Sequence, residues 1–181
     1  MTPTRSALGA AALCVGIAAA AHAQSAPEVP PAIKAPPGEK LVLSAHAAGV
    51  QIYTCTAGAD GKPQWVLKAP EAQLRDEHGA VIGQHGAGPS WHHGDGSSVN
   101  GKMVARAEAP DGKSIPWLLL SATAHGGAGV LEHVSSIQRI HTEGGAAPDA
   151  ASCDPQKEQN QEVRVPYRAD YYFYAPDAAR H

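Results

Sequence analysis

HGAGPSWHHGDGSSV, running from His85 to Val99, packs four glycines, a proline, a tryptophan, three histidines and an aspartate into fifteen positions. Gly86, Gly88, Gly94 and Gly96 lower the steric cost of positive φ, while Pro89 fixes φ and removes a donor. The stretch has to turn sharply more than once, so it reads as a shaped loop rather than an ordinary strand. Trp91 is the large group within it, and such a residue either plugs a core or walls a pocket. Glycine-rich turns make few packing contacts of their own, which favours a rim. His85, Trp91, Asp95 and Ser97 are therefore expected to cluster at one end of the structure, with Trp91 partly accessible.

Outward from this stretch, the chain breaks into short apolar runs divided by turn residues. Upstream, 40–45 and 50–55 read as a hairpin that turns at Gly49. Asp60-Gly61-Lys62-Pro63 is a turn leading into a third strand over 64–68. Pro70-Glu71-Ala72 reads as the opening of a single helical turn, and 76–79 turns the chain into a fourth strand over 80–83. Downstream, 98–109 reads as a strand pair broken at Asn100-Gly101. Ile115-Pro116-Trp117-Leu118-Leu119-Leu120 lies in the most hydrophobic segment, 114–124, bounded by Gly112 and Gly126-Gly127. That run suits a strand covered on both faces, with Pro116 at its entry. A further strand over 134–140, a long polar loop over 142–161 holding Cys153, and a tyrosine-rich closing strand over 170–175 complete the chain. No amphipathic helical pattern exceeds two turns. The expected fold is all-β, a single-domain antiparallel sandwich or barrel with long loops and little helix.

The N-terminus has one charge, Arg5, followed by an alanine-rich apolar run over 7–21 and then Ala21-His22-Ala23. This small-x-small ending predicts a signal peptide over 1–23, cleaved after Ala23 to leave a secreted or periplasmic chain. The run is too short for a membrane anchor, and no later segment approaches the roughly 18 apolar residues a span requires. Residues 24–38 are proline-rich and read as a linker or a strap over the domain; 39–181 reads as one β-rich domain. The formal charge is −3, and loss of Arg5 makes it more negative, which argues against a nucleic-acid partner. Cys14 leaves with the signal. Cys55 and Cys153 remain, and in an oxidising compartment an isolated pair is expected to form a disulfide.

Several segments carry a family resemblance: Gly49 to Cys55 (GVQIYTC), Ala69 to Leu74 (APEAQL), His85 to Trp91, Asp95 to Val99 (DGSSV), Ile115 to Leu120, Ile137 to Pro148, Cys153 and Ala169 to Tyr174. Together they resemble the secreted bacterial and fungal domain of unknown function DUF3455, over nearly the whole chain after residue 23. The resemblance implies export and a single domain, fixes His85 and Trp91 within the pattern, and assigns no reaction. His92 and His93 are not fixed by it. No dinucleotide fingerprint supports a dehydrogenase.

Three chemistries are weighed on the residues. His93 and Asp95 project together if extended and, with a distant histidine among His125, His133 and His141, of which His141 is taken, make the weak divalent-metal candidate; the Asp95-Gly96-Ser97 turn explains the aspartate as well. Ser97 or Ser98 with His85 and Asp95 supplies the residue types of a hydrolytic triad, without a nucleophile elbow. Arg139, a charge inside an apolar strand, needs a partner across the sheet or an anionic ligand. The preferred reading is a non-enzymatic binding module for a small-molecule or saccharide ligand, with His85, Trp91, Asp95, Ser97, Trp117 and Arg139 as candidate contacts. The alternatives are a metal-dependent or serine-type hydrolytic enzyme, and a structural envelope or interaction protein.

Overall fold

A computed structural model describes residues 25–154 and 161–177. Eight strands form the fold: β1 (Glu39–Ala57), β2 (Pro63–Arg75), β3 (Val81–Gly86), β4 (Ser90–His93), β5 (Ser98–Ala107), β6 (Trp117–Gly126), β7 (Ser136–Gly144) and β8 (Glu162–Pro176). Each pairs antiparallel with its neighbours in sequence, and β1 pairs with β8 to close an up-and-down barrel. The only helical elements among the described residues are two short 3-10 turns, Pro31–Ile33 and Ala150–Ser152. The expected signal segment lies outside the described residues.

The strands are fewer and longer than the turn residues suggested. The expected hairpin around Gly49 is instead one continuous strand, β1. Gly49 is there for space: a Cβ would sit 2.1 Å from the Glu71 carbonyl oxygen and 2.6 Å from the Ala72 side chain on β2. The helical turn expected at Pro70 is extended backbone inside β2, and the tight turn expected at Asn100-Gly101 is replaced by the uninterrupted β5, which carries a register shift at that point. Here too a glycine makes room, since a Cβ on Gly101 would lie 3.0 Å from the Trp91 ring. The segment 85–99 is not mainly loop; it contains β4 and the ends of β3 and β5, with its glycines concentrated in two tight turns. β7 runs on to Gly144, so the polar loop after it is shorter than expected.

Burial follows the alternation of strands that are covered on both sides. Leu120, Ile137, Tyr171 and Phe173 face inward with Ala45, Leu74, Trp91, Val99, Leu131 and Val134 to fill the barrel. Trp117, Leu119 and Ile140 face outward and meet Ile33 and Val29 from the proline-rich segment, which is a strap rather than a free tether. The Gln138 amide nitrogen ties that strap down by donating to the Ile33 carbonyl at 2.6 Å. The run 115–120 is thus covered on both faces, as its composition implied. Cys55, near the end of β1, is bonded to Cys153 beside the second 3-10 turn, with Cα atoms 5.4 Å apart, and closes a separation of 98 residues.

Unequal strand lengths open the wall. β3 has 6 residues and β4 only 4, against 13 in β2 and 10 in β5. β3 pairs with β2 only between Ala72 and Arg75, and β4 pairs with β5 only as far as Asn100. The first half of β2 and the second half of β5 therefore lack a partner between them. A notch results, floored by the β3–β4 turn, where Gly88 adopts φ +109° and the Pro89 carbonyl accepts from Gly101 N–H at 3.0 Å.

Candidate functional site

The notch leads into a cavity of about 280 Å³ inside the barrel. Its lips are the exposed side chains of Leu67 and Met103, its apolar walls are Pro70, Leu118 and Leu120, and its inner end holds Gln51, His85, Trp91, Arg139 and Tyr171. That volume is near the lower end for a small-molecule site, and few convergent polar groups on apolar walls is the usual composition of one.

Strand pairing sets this inner end. His85 and Trp91 are directly opposite across β3 and β4, so both side chains share the inner face. Their rings stack at 4.6 Å and 11°, and Trp91 meets Tyr171 and Phe173 edge-on at 5.5 and 6.0 Å. Trp91 is 0% exposed, so the expectation of a partly accessible ring is corrected: turn glycines leave the backbone at the surface, but the pairing with His85 sends the side chain inward. The His85 Nδ1 donates to the Ser90 carbonyl at 2.8 Å, leaving Nε2 as the acceptor nitrogen. Burial pushes the His85 pKa down to about 4; the Arg139 charge acts in the same direction, and the Ser90 hydrogen bond opposes both. At neutral pH the ring is uncharged.

Arg139 on β7 stands opposite Leu118 and Tyr171 and points into the barrel. Its Nη2 donates to the Pro116 carbonyl at 2.8 Å, while its buried Nε has no hydrogen-bond partner. No ion pair involving Arg139 exists among the described residues. Gln51 Nε2, Trp91 Nε1 and the hydroxyls of Tyr167 and Tyr171 are likewise buried without a hydrogen bond. The two hydroxyls and the guanidinium lie within one another's electrostatic reach. Burial raises both tyrosines well above their ordinary range, so each keeps its proton as a donor. Leaving a buried polar group unpaired costs roughly 1–3 kcal/mol, so five together call for an explanation.

The remaining residues singled out by sequence go elsewhere. Asp95 and Ser97 form a clasp in the turn between β4 and β5. Asp95 Oδ1 accepts from the Ser97 hydroxyl at 2.6 Å and from its N–H at 2.9 Å, Oδ2 accepts from Val130 N–H at 2.8 Å, and Ser97 Oγ accepts from Leu131 N–H at 3.1 Å. The Ser97 hydroxyl is the main reason that the Asp95 carboxyl is held well below its usual range, with the two backbone bonds adding to it. This clasp fastens the 129–134 segment to the turn and is separate from the His85–Trp91 pair, so the four residues do not form one rim. Trp117 lies under the strap on the outer face, its ring edge-on to His141 at 5.3 Å.

Neither of the other two chemistries is assembled. His93 Nδ1 is 3.0 Å from Asp95, but His141 sits at the irregularity in β7 and bonds Asp170 at 2.8 Å, while the other Asp170 oxygen meets His46 at 2.6 Å. Among the described residues no group of three or more His, Cys, Asp or Glu side chains is placed to hold a metal ion. Neither serine hydroxyl is hydrogen-bonded to an imidazole: Ser97 bonds Asp95, Ser98 bonds the Gly126 carbonyl, and the His85 Nδ1 bonds the Ser90 carbonyl. Sequence reasoning found His85, Trp91 and Arg139 but missed Gln51, Tyr167 and Tyr171. The usable signal was the period-two series Tyr167, Ala169, Tyr171, Phe173, which marks the inward face of one strand.

The chain belongs to the family described as a protein of unknown function (DUF3455), whose model matches residues 36–175. None of the curated proteins and none of the solved structures gives a significant match.

Proposed function

We propose that this chain is a non-enzymatic binding module that takes a small organic molecule into its barrel through the notch between β2 and β5. The observation that carries the reading is that four residues with a buried, unpaired polar atom, Gln51, Trp91, Tyr171 and Arg139, line one apolar-walled cavity with an entrance. Closed barrels of this size either fill their interior with side chains or hold one small ligand. Here the interior is packed around Phe173 and Ile137, and the cavity opens beside that packing at the notch. The enclosed volume favours a compact molecule over an extended saccharide. We further infer export through a signal peptide over 1–23. The Cys55–Cys153 bond fits an oxidising compartment, and no helix among the described residues is long and apolar enough to cross a membrane.

The test is a thermal-shift screen of the exported chain against small organic acids, amides, alcohols, amines and short saccharides, followed by calorimetry. A true ligand at a hundred times its Kd should stabilise the fold by about 2.7 kcal/mol. Leu118→Trp, which fills the cavity from its wall, should abolish the shift while the far-ultraviolet circular dichroism stays that of a barrel. Failure of every class to raise the melting temperature would overturn the proposal.

A further inference from the structure

We infer that the molecule this cavity accepts is an organic carboxylate with a compact apolar body, seated with its carboxylate on Arg139. The inference rests on the reading of the cavity as a binding site and adds the chemical class of the occupant.

The charge balance of the cavity comes first. Of its lining residues only Lys68 and Arg139 carry charge at neutral pH, because His85 is held neutral. Lys68 stands at the rim and is already paired with Glu162. Arg139 carries a guanidinium cation and has no carboxylate partner among the described residues, although its Nε is shut off from solvent. A half-buried cation whose Nε is closed to solvent has lost part of its hydration without gaining an anion, and an anion arriving at the guanidinium makes up that loss. The bond from Nη2 to Pro116 holds the guanidinium in place before any ligand binds, so little ordering is required on binding.

The neutral groups ask for the same chemistry. Gln51 Nε2 and Trp91 Nε1 are donors, and both side chains are almost fully buried, at 1% and 0% exposure. The hydroxyl of Tyr171, 1% exposed, remains protonated and is able to donate as well. Donors outnumber free acceptors at this inner end, so the complementary ligand is rich in acceptor oxygens and poor in donors. A bare inorganic anion would satisfy the arginine but leave Leu67, Pro70, Met103, Leu118 and Leu120 without a partner. Those side chains form most of the remaining wall and suit an aliphatic or aromatic body. The ligand's polar end points inward to β7 and β8, and its apolar end lies toward the Leu67 and Met103 lips.

Paired calorimetric titrations test this on the unmodified chain: benzoate, phenylacetate, indole-3-acetate and octanoate, each beside its primary carboxamide. The amide keeps shape and apolar body and removes the charge. At least one acid should bind at least tenfold more tightly than its amide. Arg139→Gln should then bring that acid to the affinity of the amide, and Arg139→Lys should restore part of the difference. Equal binding of acid and amide would overturn the carboxylate assignment and leave the binding module standing, as would binding of a neutral or cationic class alone in the thermal-shift screen. Absence of binding by any class would overturn both. The acid–amide comparison on the unmodified chain decides the matter even where the Arg139 variants fail to fold.

Discussion

Lowering the pH from neutral to about 4 should destabilise the barrel through His85, by an amount that follows from its burial. In the folded chain this imidazole is buried and its pKa is lowered from 6.5 to about 4, burial being the largest cause. In the unfolded chain the same ring takes up its proton near the ordinary value. The folded pKa is thus below the unfolded one, the unfolded state binds more protons between the two, and stability falls as pH drops through that window. At 1.36 kcal/mol per pH unit, the gap from 6.5 to about 4 amounts to about 3 kcal/mol by its lower end. The clasp and turn carboxylates act at lower pH: the Ser114 hydroxyl and backbone N–H groups take Asp111 down to about 2, and Asp95 lies lower still. Their loss begins as pH falls through the ordinary carboxylate value of 3.8, so only its onset reaches pH 4, and it is common to the two chains compared. Urea unfolding of the native chain and of His85→Gln at about pH 7.5, 6, 5 and 4 measures the effect. The glutamine retains a donor for the Ser90 carbonyl and does not titrate, so any constant offset is removed by referring each chain to its own value at the highest pH. The native chain should lose about 3 kcal/mol more than the variant across the series. Parallel curves would show that the imidazole is protonated equally in both states, and would refute its placement as a neutral ring against Trp91.

Trp91→Ala removes a fully buried ring that stacks on His85 and meets Tyr171 and Phe173, and should cost roughly 3–5 kcal/mol in denaturant unfolding, with loss of near-ultraviolet dichroism. A cost below about 1 kcal/mol would mean that the ring is not part of the packed interior. Replacing Cys55 and Cys153 together by serine opens a separation of 98 residues and should cost on the order of 4 kcal/mol. Thiol titration of the unfolded, unreduced chain should find neither of the two free.

How far the letters reach is clearest where the same residue type serves two purposes. The run 115–120 was legible because continuous apolarity has one cheap solution in a sheet, cover on both faces, and the barrel with its strap supplies it. Gly61, Gly79, Gly88 and Gly96 are turn residues with positive φ, whereas Gly86, at the end of β3, and Gly94 do not have positive φ. Gly49 and Gly101 look identical in sequence but act through space, one under the backbone of β2 and the other under the Trp91 ring, so treating them as turns cut β1 and β5 in two. Nothing local separates these uses, because the neighbour that excludes a Cβ comes from another strand. The site divides in the same way. His85, Trp91 and Arg139 each break a local rule, a ring in a glycine-rich stretch or a charge in an apolar strand, and local anomalies are visible in one dimension. Gln51 breaks none. It becomes part of a site only because β1 closes against β8 and because β3 and β4 are too short to cover the gap beside β2. The cavity is a consequence of closure and of unequal strand lengths. Strand length is the quantity that the two uses of glycine conceal in sequence, so the continuity of β1 and β5 through Gly49 and Gly101 and the notch beside them have one physical cause.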